Sequence, residues 1–347
     1  MMAALRRFST SQPGGWGRAG RLTWWLIVGA ALIAWPVLIP SDYAIGVAVT
    51  ALIYVALALG FDLIAGRVGL LSFAHPAFFG IGAYVAALLA LHWGIGFELR
   101  ALASIVCAVL AATVIGIPCF RLTLHAFAMG TLGFAQIAYV VALGWQDVTR
   151  GPLCLPGVPP VDFGFGRWHW SAGSLTDYYY VGLGLAVLVF ISVRQVTSGR
   201  IGRAWKAIKE DELLAAAEGV PLLKYKLLAF AIGAGIAGVT GAFYASYATL
   251  VCPTEVALTY SVNLIIILYL GGRASILGPI LGAVLFTALP EYLRVAQEWR
   301  LVFYGVLIVV GSVYMPEGIV TWVSERIQQT RTRQRGKDGN GADITTR

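Results

Sequence analysis

Apolar runs of span length follow one another along most of this chain, and a single polar island interrupts them. The runs lie near 24–39, 43–65, 70–91, 101–119, 122–145, 178–196, 227–250, 256–271, 275–290 and 301–316. A helix needs about 20 apolar residues to cross a bilayer, so each run reads as a membrane-spanning helix. The pair 256–271 and 275–290 is short and is broken by Gly271-Gly272-Arg273. It forms either two thin spans or one re-entrant pair, and both return the chain to the same side. The island is Gly199 to Pro221, GRIGRAWKAIKEDELLAAAEGVP. Within it Ile201, Ala204, Trp205 and Ile208 share one face of a helix, and Arg203, Lys206 and Lys209 occupy much of the rest. The acidic run Glu210-Asp211-Glu212 breaks that phase, which divides the island into two short helices, and Gly219 followed by Pro221 stops the second.

Charge gives these elements an orientation. The 347 residues are 59% hydrophobic and only 12% charged, with a net charge of +8. That positive charge sits between or outside the runs: at Arg6, Arg7, Arg18 and Arg21, in the island, and in the tail from Arg326 to Arg347. With six spans before it, the island shares a side with the N-terminus, and Arg67 and Arg121 fall there too. By the positive-inside rule that side is cytoplasmic. The opposite side receives the Gly- and Pro-rich loop Asp147–Asp177, with Phe163, Phe165, Trp168 and Trp170. That loop is either an interfacial plug or part of a docking surface for a delivery protein. The expected organisation is a basic cytoplasmic N-terminus (1–22), a transmembrane domain (23–320) holding the island loop (197–226), and a polar basic tail (321–347) able to touch anionic headgroups. The fold class is all-α, a polytopic transmembrane bundle of about nine or ten spans. A nucleic-acid partner is not expected, because the basic residues follow membrane topology.

The chemistry the residues offer is sparse. No Walker A lysine loop, HExxH or GxSxG motif occurs, and His75, His92, His125 and His169 are scattered, so neither a catalytic site nor a metal site is expected. If ATP powers this protein, another chain binds it, and no cofactor is expected on this one. Ion-coupled pumps place ionisable groups within spans. Here only Asp62, near a span end, and His75 qualify, which argues against a secondary transporter. Gly66–Tyr84 (GRVGLLSFAHPAFFGIGAY) is rich in small residues and contains Pro76. It is either a kinked, tightly packed helix or a broken helix lining a substrate path, with Ser72 and His75 as polar contacts. Thr131 and Gln136 form a second weakly polar patch, facing the path or bonding a neighbouring helix. Ala234, Gly238 and Ala242, and Gly278 and Gly282, are small residues spaced for helix packing, within the chain or against a partner. Cys107 and Cys119 fall in or near a span as packing residues. Cys154 and Cys252 fall in outer loops, where an oxidising periplasm permits a disulfide. The island's acidic run would be repelled by anionic lipid, so the island is read as presented to a soluble motor rather than laid in the headgroups.

Four blocks, taken in order, resemble the permease subunits of branched-chain amino acid ABC importers, the LivM type: residues 66–84; TLGFAQI (131–137); GRAWKAIKEDELLAAAEGV (202–220) with KYKLLAFAIGAGIAGVTGAFYA (224–245); and LGGRASILGPILGAVLFTALPEYLR (270–294). The resemblance implies a coupling helix docked on an ATPase, with Arg203, Ala204, Ile208, Glu210, Asp211, Glu212 and Gly219 at the contact. It also implies a second related permease, two cytoplasmic ATP-binding subunits, a periplasmic binding protein and a bacterial inner-membrane location with both termini cytoplasmic. The chain departs from the family pattern at TRGPLCLPG (149–157) and at Pro76. The cargo implied is a branched-chain or other apolar amino acid. Urea, short amides and small aromatic acids are alternatives, and an ion-coupled secondary transporter is the rival class.

Overall fold

The computed structural model describes residues 29–38, 41–165, 168–272 and 275–292. Within them the chain is almost wholly helical. The helix α1 (Gly29–Leu38) precedes α2 (Asp42–Asp62), which continues as a π-helical turn through Leu63–Val68. Then come α3 (His75–Trp93), α4 (Phe97–Cys119), α5 (Leu124–Gly144) and the single turn α6 (Gln146–Thr149). The loop that follows holds β1 (Leu155–Pro156) and the hairpin β2 (Asp162–Phe165) and β3 (Trp168–Ser171). The helices α7 (Leu175–Ser198), α8 (Arg200–Glu210), α9 (Glu212–Ala217) and α10 (Leu222–Ala248) follow, then β4 (Leu250–Val251), α11 (Leu258–Gly271) and α12 (Leu277–Tyr292). Among the described residues, six helices are long and apolar enough to cross a membrane: α2 with its π-turn, α3, α4, α5, α7 and α10. Three shorter apolar helices accompany them, α1, α11 and α12. At 14 and 16 residues, α11 and α12 reach about 21 and 24 Å against a hydrocarbon core of about 30 Å. The expected last span, both terminal segments and Arg273 lie outside the described residues.

The bundle is built around α10. Its small residues let it pack closely between α3 and α4. Ala234, Gly238 and Ala242 are fully buried there. A side chain at Gly238 would run into the Ser104 carbonyl and Ala108, and one at Gly82 into the Gly238 backbone. These small residues make close backbone approaches inside the chain. Gly278 and Gly282 do the same for the α11–α12 hairpin, whose backbones meet at Gly271 and Gly272. The hairpin leans on α2, which packs against α7 on another side.

Local sequence sets where helices begin and end. Ser174 and Asp177 cap α7 reciprocally: the Asp177 N–H donates to Ser174 Oγ at 3.2 Å and the Ser174 N–H to Asp177 Oδ2 at 2.9 Å. Pro76 stands in the first turn of α3, where its missing N–H would have no helical partner. It therefore starts the helix rather than kinking it. The expected run 70–91 is helical only from His75, and Gly69–Ala74 is irregular. Gly69 (φ +87°) sits in a left-handed conformation that closes the π-turn.

One end of the bundle carries α8 and α9. The other carries the strands and a disulfide between Cys154 and Cys252, whose Cα atoms are 4.4 Å apart. The β1–β4 ladder pairs Leu155 with Val251 beside it. The loop after α5 is thus a folded cap stapled to the end of α10.

Candidate functional site

Two helix breaks enter the bundle from opposite ends. The first is Leu63–Ala74, entering from the α8 end. Its depth can be read from its partners. The Phe73 N–H donates to Thr131 Oγ1 at 3.1 Å, and Thr131 lies seven residues into α5, roughly 10 Å along that helix. The His75 ring packs on Gly233 and Phe61. The second break is Thr249–Ala257, entering from the disulfide end. Its Val256 side chain packs on Gly80, where any larger residue would collide. The first break is joined to the start of α11, just past the second break, where Ser261 Oγ donates to the Phe73 carbonyl at 2.9 Å.

The polar groups exposed by unwinding must be matched, because a bilayer core supplies no water. In the first break neutral hydroxyls do this. Ser72 Oγ accepts from the Ala74 N–H at 3.2 Å, Thr131 takes the Phe73 N–H and passes its own proton to the Ala128 carbonyl at 2.9 Å, and Ser261 takes the Phe73 carbonyl. Of the four residues expected along a path, Ser72, His75 and Thr131 are brought together and buried. They hold the break rather than line an open channel, although His75 Nε2 is buried without a hydrogen-bond partner. Gln136 is apart from them, exposed on the outer side of α5.

That outer side is unusual. The outward faces of α4 (Leu102, Val106, Leu110, Val114) and α7 (Val187, Leu188, Ile191) are large and apolar, as a lipid-facing surface should be. The uncovered face of α5 mixes apolar Met129, Ile137, Val140 and Val141 with Gly133 and Gln136, and the neighbouring α11 exposes Thr259 among Leu258, Val262 and Tyr269. An amide in mid-span is costly against lipid.

Sequence reasoning missed Glu255 in the second break. It is 6% exposed, accepts the Tyr244 hydroxyl at 3.0 Å and the Cys252 N–H at 2.9 Å, and has no ion-pair partner among the described residues. Burial pushes its carboxyl above the ordinary range, and these hydrogen bonds act the other way. Asp62, by contrast, is buried against Arg67, with Nε to Oδ2 at 2.9 Å.

At the other end the island is two helices, as its acidic run implied. Trp205 is fully buried, with Nε1 donating to the Tyr225 carbonyl at 2.8 Å. Lys209 Nζ donates to the Gly66 carbonyl of the π-turn at 2.7 Å. Lys226 pairs with Glu212. The α8–α9 pair is therefore tied both to the first break and to the base of α10. The expected docking residues divide. Arg203, Glu210 and Gly219 are exposed. Ile208 is 4% exposed and Ala204 half-buried, so Ile208 packs inward and cannot touch a partner. Asp211 caps α9, accepting from the Leu213 and Leu214 N–H groups at 2.9 and 3.0 Å, and Glu212 is engaged by Lys226. Gly219 (φ +82°) forms the left-handed end of α9, with the Val220 N–H returning to the Ala215 carbonyl. The exposed apolar knobs of this end are Leu213 (84%) and Leu214 (61%), which composition alone did not single out.

These features define a multi-pass membrane protein with a polar helix pair at one end of its bundle and breaks between its helices. Residues 43–311 match the family described as branched-chain amino acid transport system, permease component, and the chain belongs to that family. It is a LivM-type permease. It is 30% identical over 325 residues to the high-affinity branched-chain amino acid transport system permease protein LivM of Salmonella typhimurium, covering 88% of this chain and 76% of the relative. It is 29% identical to the LivM of Escherichia coli over the same shares. To the high-affinity branched-chain amino acid transport system permease protein LivH of Escherichia coli it is 26% identical over 288 residues, covering 77% of this chain and 91% of that one. No solved structure matches the chain.

Proposed function

We propose that this chain is one of two related permeases of an ATP-driven importer of branched-chain amino acids in a bacterial inner membrane. A periplasmic binding protein would deliver the substrate at the disulfide end, and two ATP-binding subunits would dock at the α8–α9 end, placing that end in the cytoplasm. The observation that carries this reading is the double character of α8–α9. Its inner face is fastened by Trp205, Lys209 and Glu212 to α10 and the first break, while Leu213 and Leu214 stand out beside Glu210. An element that only anchored to lipid would have no use for a hydrogen bond into a helix break. The two leucines would enter an apolar groove on the ATPase, and Arg203 and Glu210 would meet its polar rim. Motion of the pair would pull on the Gly66 carbonyl and shift the first break against α11, opening the path to alternate sides. The cargo is supported by the relatives' names, and the second permease by the likeness to both LivM and LivH. The uncovered face of α5 and α11, where Gln136 and Thr259 stand among apolar residues, would meet that second permease around the path, which gives Gln136 a hydrogen-bonding neighbour.

The test is leucine uptake by cells producing the whole importer, with Leu213→Asp and Leu214→Asp together in this chain. The expected result is loss of uptake and of co-purification with the ATP-binding subunits while the chain stays in the membrane. Unchanged uptake that instead collapses with the ion gradient would assign the chain to secondary transport.

A further inference from the structure

We infer that Glu255, with Tyr244, Tyr260 and Tyr54, is the station that receives the substrate's ammonium group at the second break. This rests on the importer reading and names the chemistry of one part of its path. A carboxylate buried in the second break carries a charge that no ion pair on the described chain balances. The other buried carboxylate, Asp62, has its arginine. Taking an unpaired charge out of water is expensive, so such a group marks a place where a cation arrives. What surrounds Glu255 selects the kind of cation. The Tyr244 hydroxyl donates to Oε1 at 3.0 Å, and the Phe79 ring lies against both Tyr244 and Tyr260. The Phe79 and Tyr54 rings lie 6.4 and 6.5 Å from the Tyr260 ring, at shallow angles to it. Aromatic faces beside a carboxylate suit an organic ammonium, which gains from both ring and charge. A strongly hydrated metal ion would want more oxygen ligands than this site offers. Tyr54 and Tyr260 are only partly buried, so the station is reachable from the side that they face.

A turn-capping role and a charge-recognition role make different demands on this residue. Glutamine keeps one of the two acceptors, enough for the Cys252 N–H, and its amide can donate to the Tyr244 hydroxyl, but it loses the charge. The direct experiment introduces Tyr260→Cys into the full chain with Cys107 and Cys119 replaced by Ala, leaving the disulfide intact. The cysteine is then reacted in membranes with methanethiosulfonates bearing an ammonium or a sulfonate. With Glu255 present the ammonium reagent should react at least tenfold faster, and Glu255→Gln should bring the ratio close to one. A ratio unaffected by Glu255→Gln would overturn the proposal. In the complete importer, Glu255→Gln should cut uptake of dilute leucine at least tenfold, with Glu255→Asp in between. Uptake by Glu255→Gln within twofold of wild type would also overturn it. If Glu255→Gln fails to assemble with the ATP-binding subunits, Tyr260→Leu decides. A several-fold loss of uptake supports the station, and a change of less than twofold refutes it. If the wild-type importer does not carry leucine, the cargo reading fails, and the reagent rates still judge Glu255.

Discussion

The two helix breaks solve one problem by different means. In Leu63–Ala74 the freed backbone is matched by neutral hydroxyls from Ser72, Thr131 and Ser261, and the break is leashed by Lys209 to the exposed helix pair. In Thr249–Ala257 the chain is held by a disulfide and a short β ladder, and it buries a carboxylate with no ion-pair partner among the described residues. A break held by hydrogen bonds and no covalent link can shift at small cost, because each neutral bond contributes only about 1 kcal/mol net. A covalently stapled break keeps its position and can hold a charge there. The first is suited to transmitting movement and the second to recognising a ligand.

Changes to the helix pair should have the largest effect. Trp205→Ala removes a fully buried indole and the bond to the Tyr225 carbonyl, which should cost about 3–5 kcal/mol. The fastening of α8 to α10 should then fail, seen as rapid proteolysis of the 199–221 loop in membranes. A loop still protected would mean that the pair is not anchored through Trp205. Next in size is Cys252→Ser, which opens a staple spanning a sequence separation of 98 residues. A loss of about 2–4 kcal/mol is expected, read as a lower thermal midpoint in detergent that reductant reproduces in the wild type. Smaller again is Thr131→Val, which leaves the Phe73 N–H unmatched at about 1–3 kcal/mol. It should lower the midpoint less than Cys252→Ser does, and a larger drop would reverse the ranking of the two breaks. Least of all, Lys206→Ala removes an exposed pair with Glu210 at 3.7 Å, so stability and uptake should stay within measurement error.

Much of this was legible because charge is rare in an apolar chain. The island, its division at Glu210–Glu212 and its polar character all follow from residue order. The inward packing of Ile208 was also readable, since Ile208 repeats Ile201 and Trp205 on one face, and a surface role contradicts that stripe. The first break was half visible. Gly69 and Pro76 announced a disturbance, but proline fits both a kink and a helix start, and only the contact from Thr131 decides between them. The second break was hidden. Glu255 stands near a span end, where carboxylates are usually wet. What makes it special is Tyr244, eleven residues before it, and Val256 against Gly80, a contact between distant segments that no local pattern encodes.

The central claim is that the helix pair drives the first break through Lys209. The most direct test is the ratio of leucine imported to ATP hydrolysed by the reconstituted importer with Lys209→Met in this chain. The account predicts that the ATP-binding subunits still dock and hydrolyse ATP, while uptake per ATP falls at least tenfold. An unchanged ratio would contradict it.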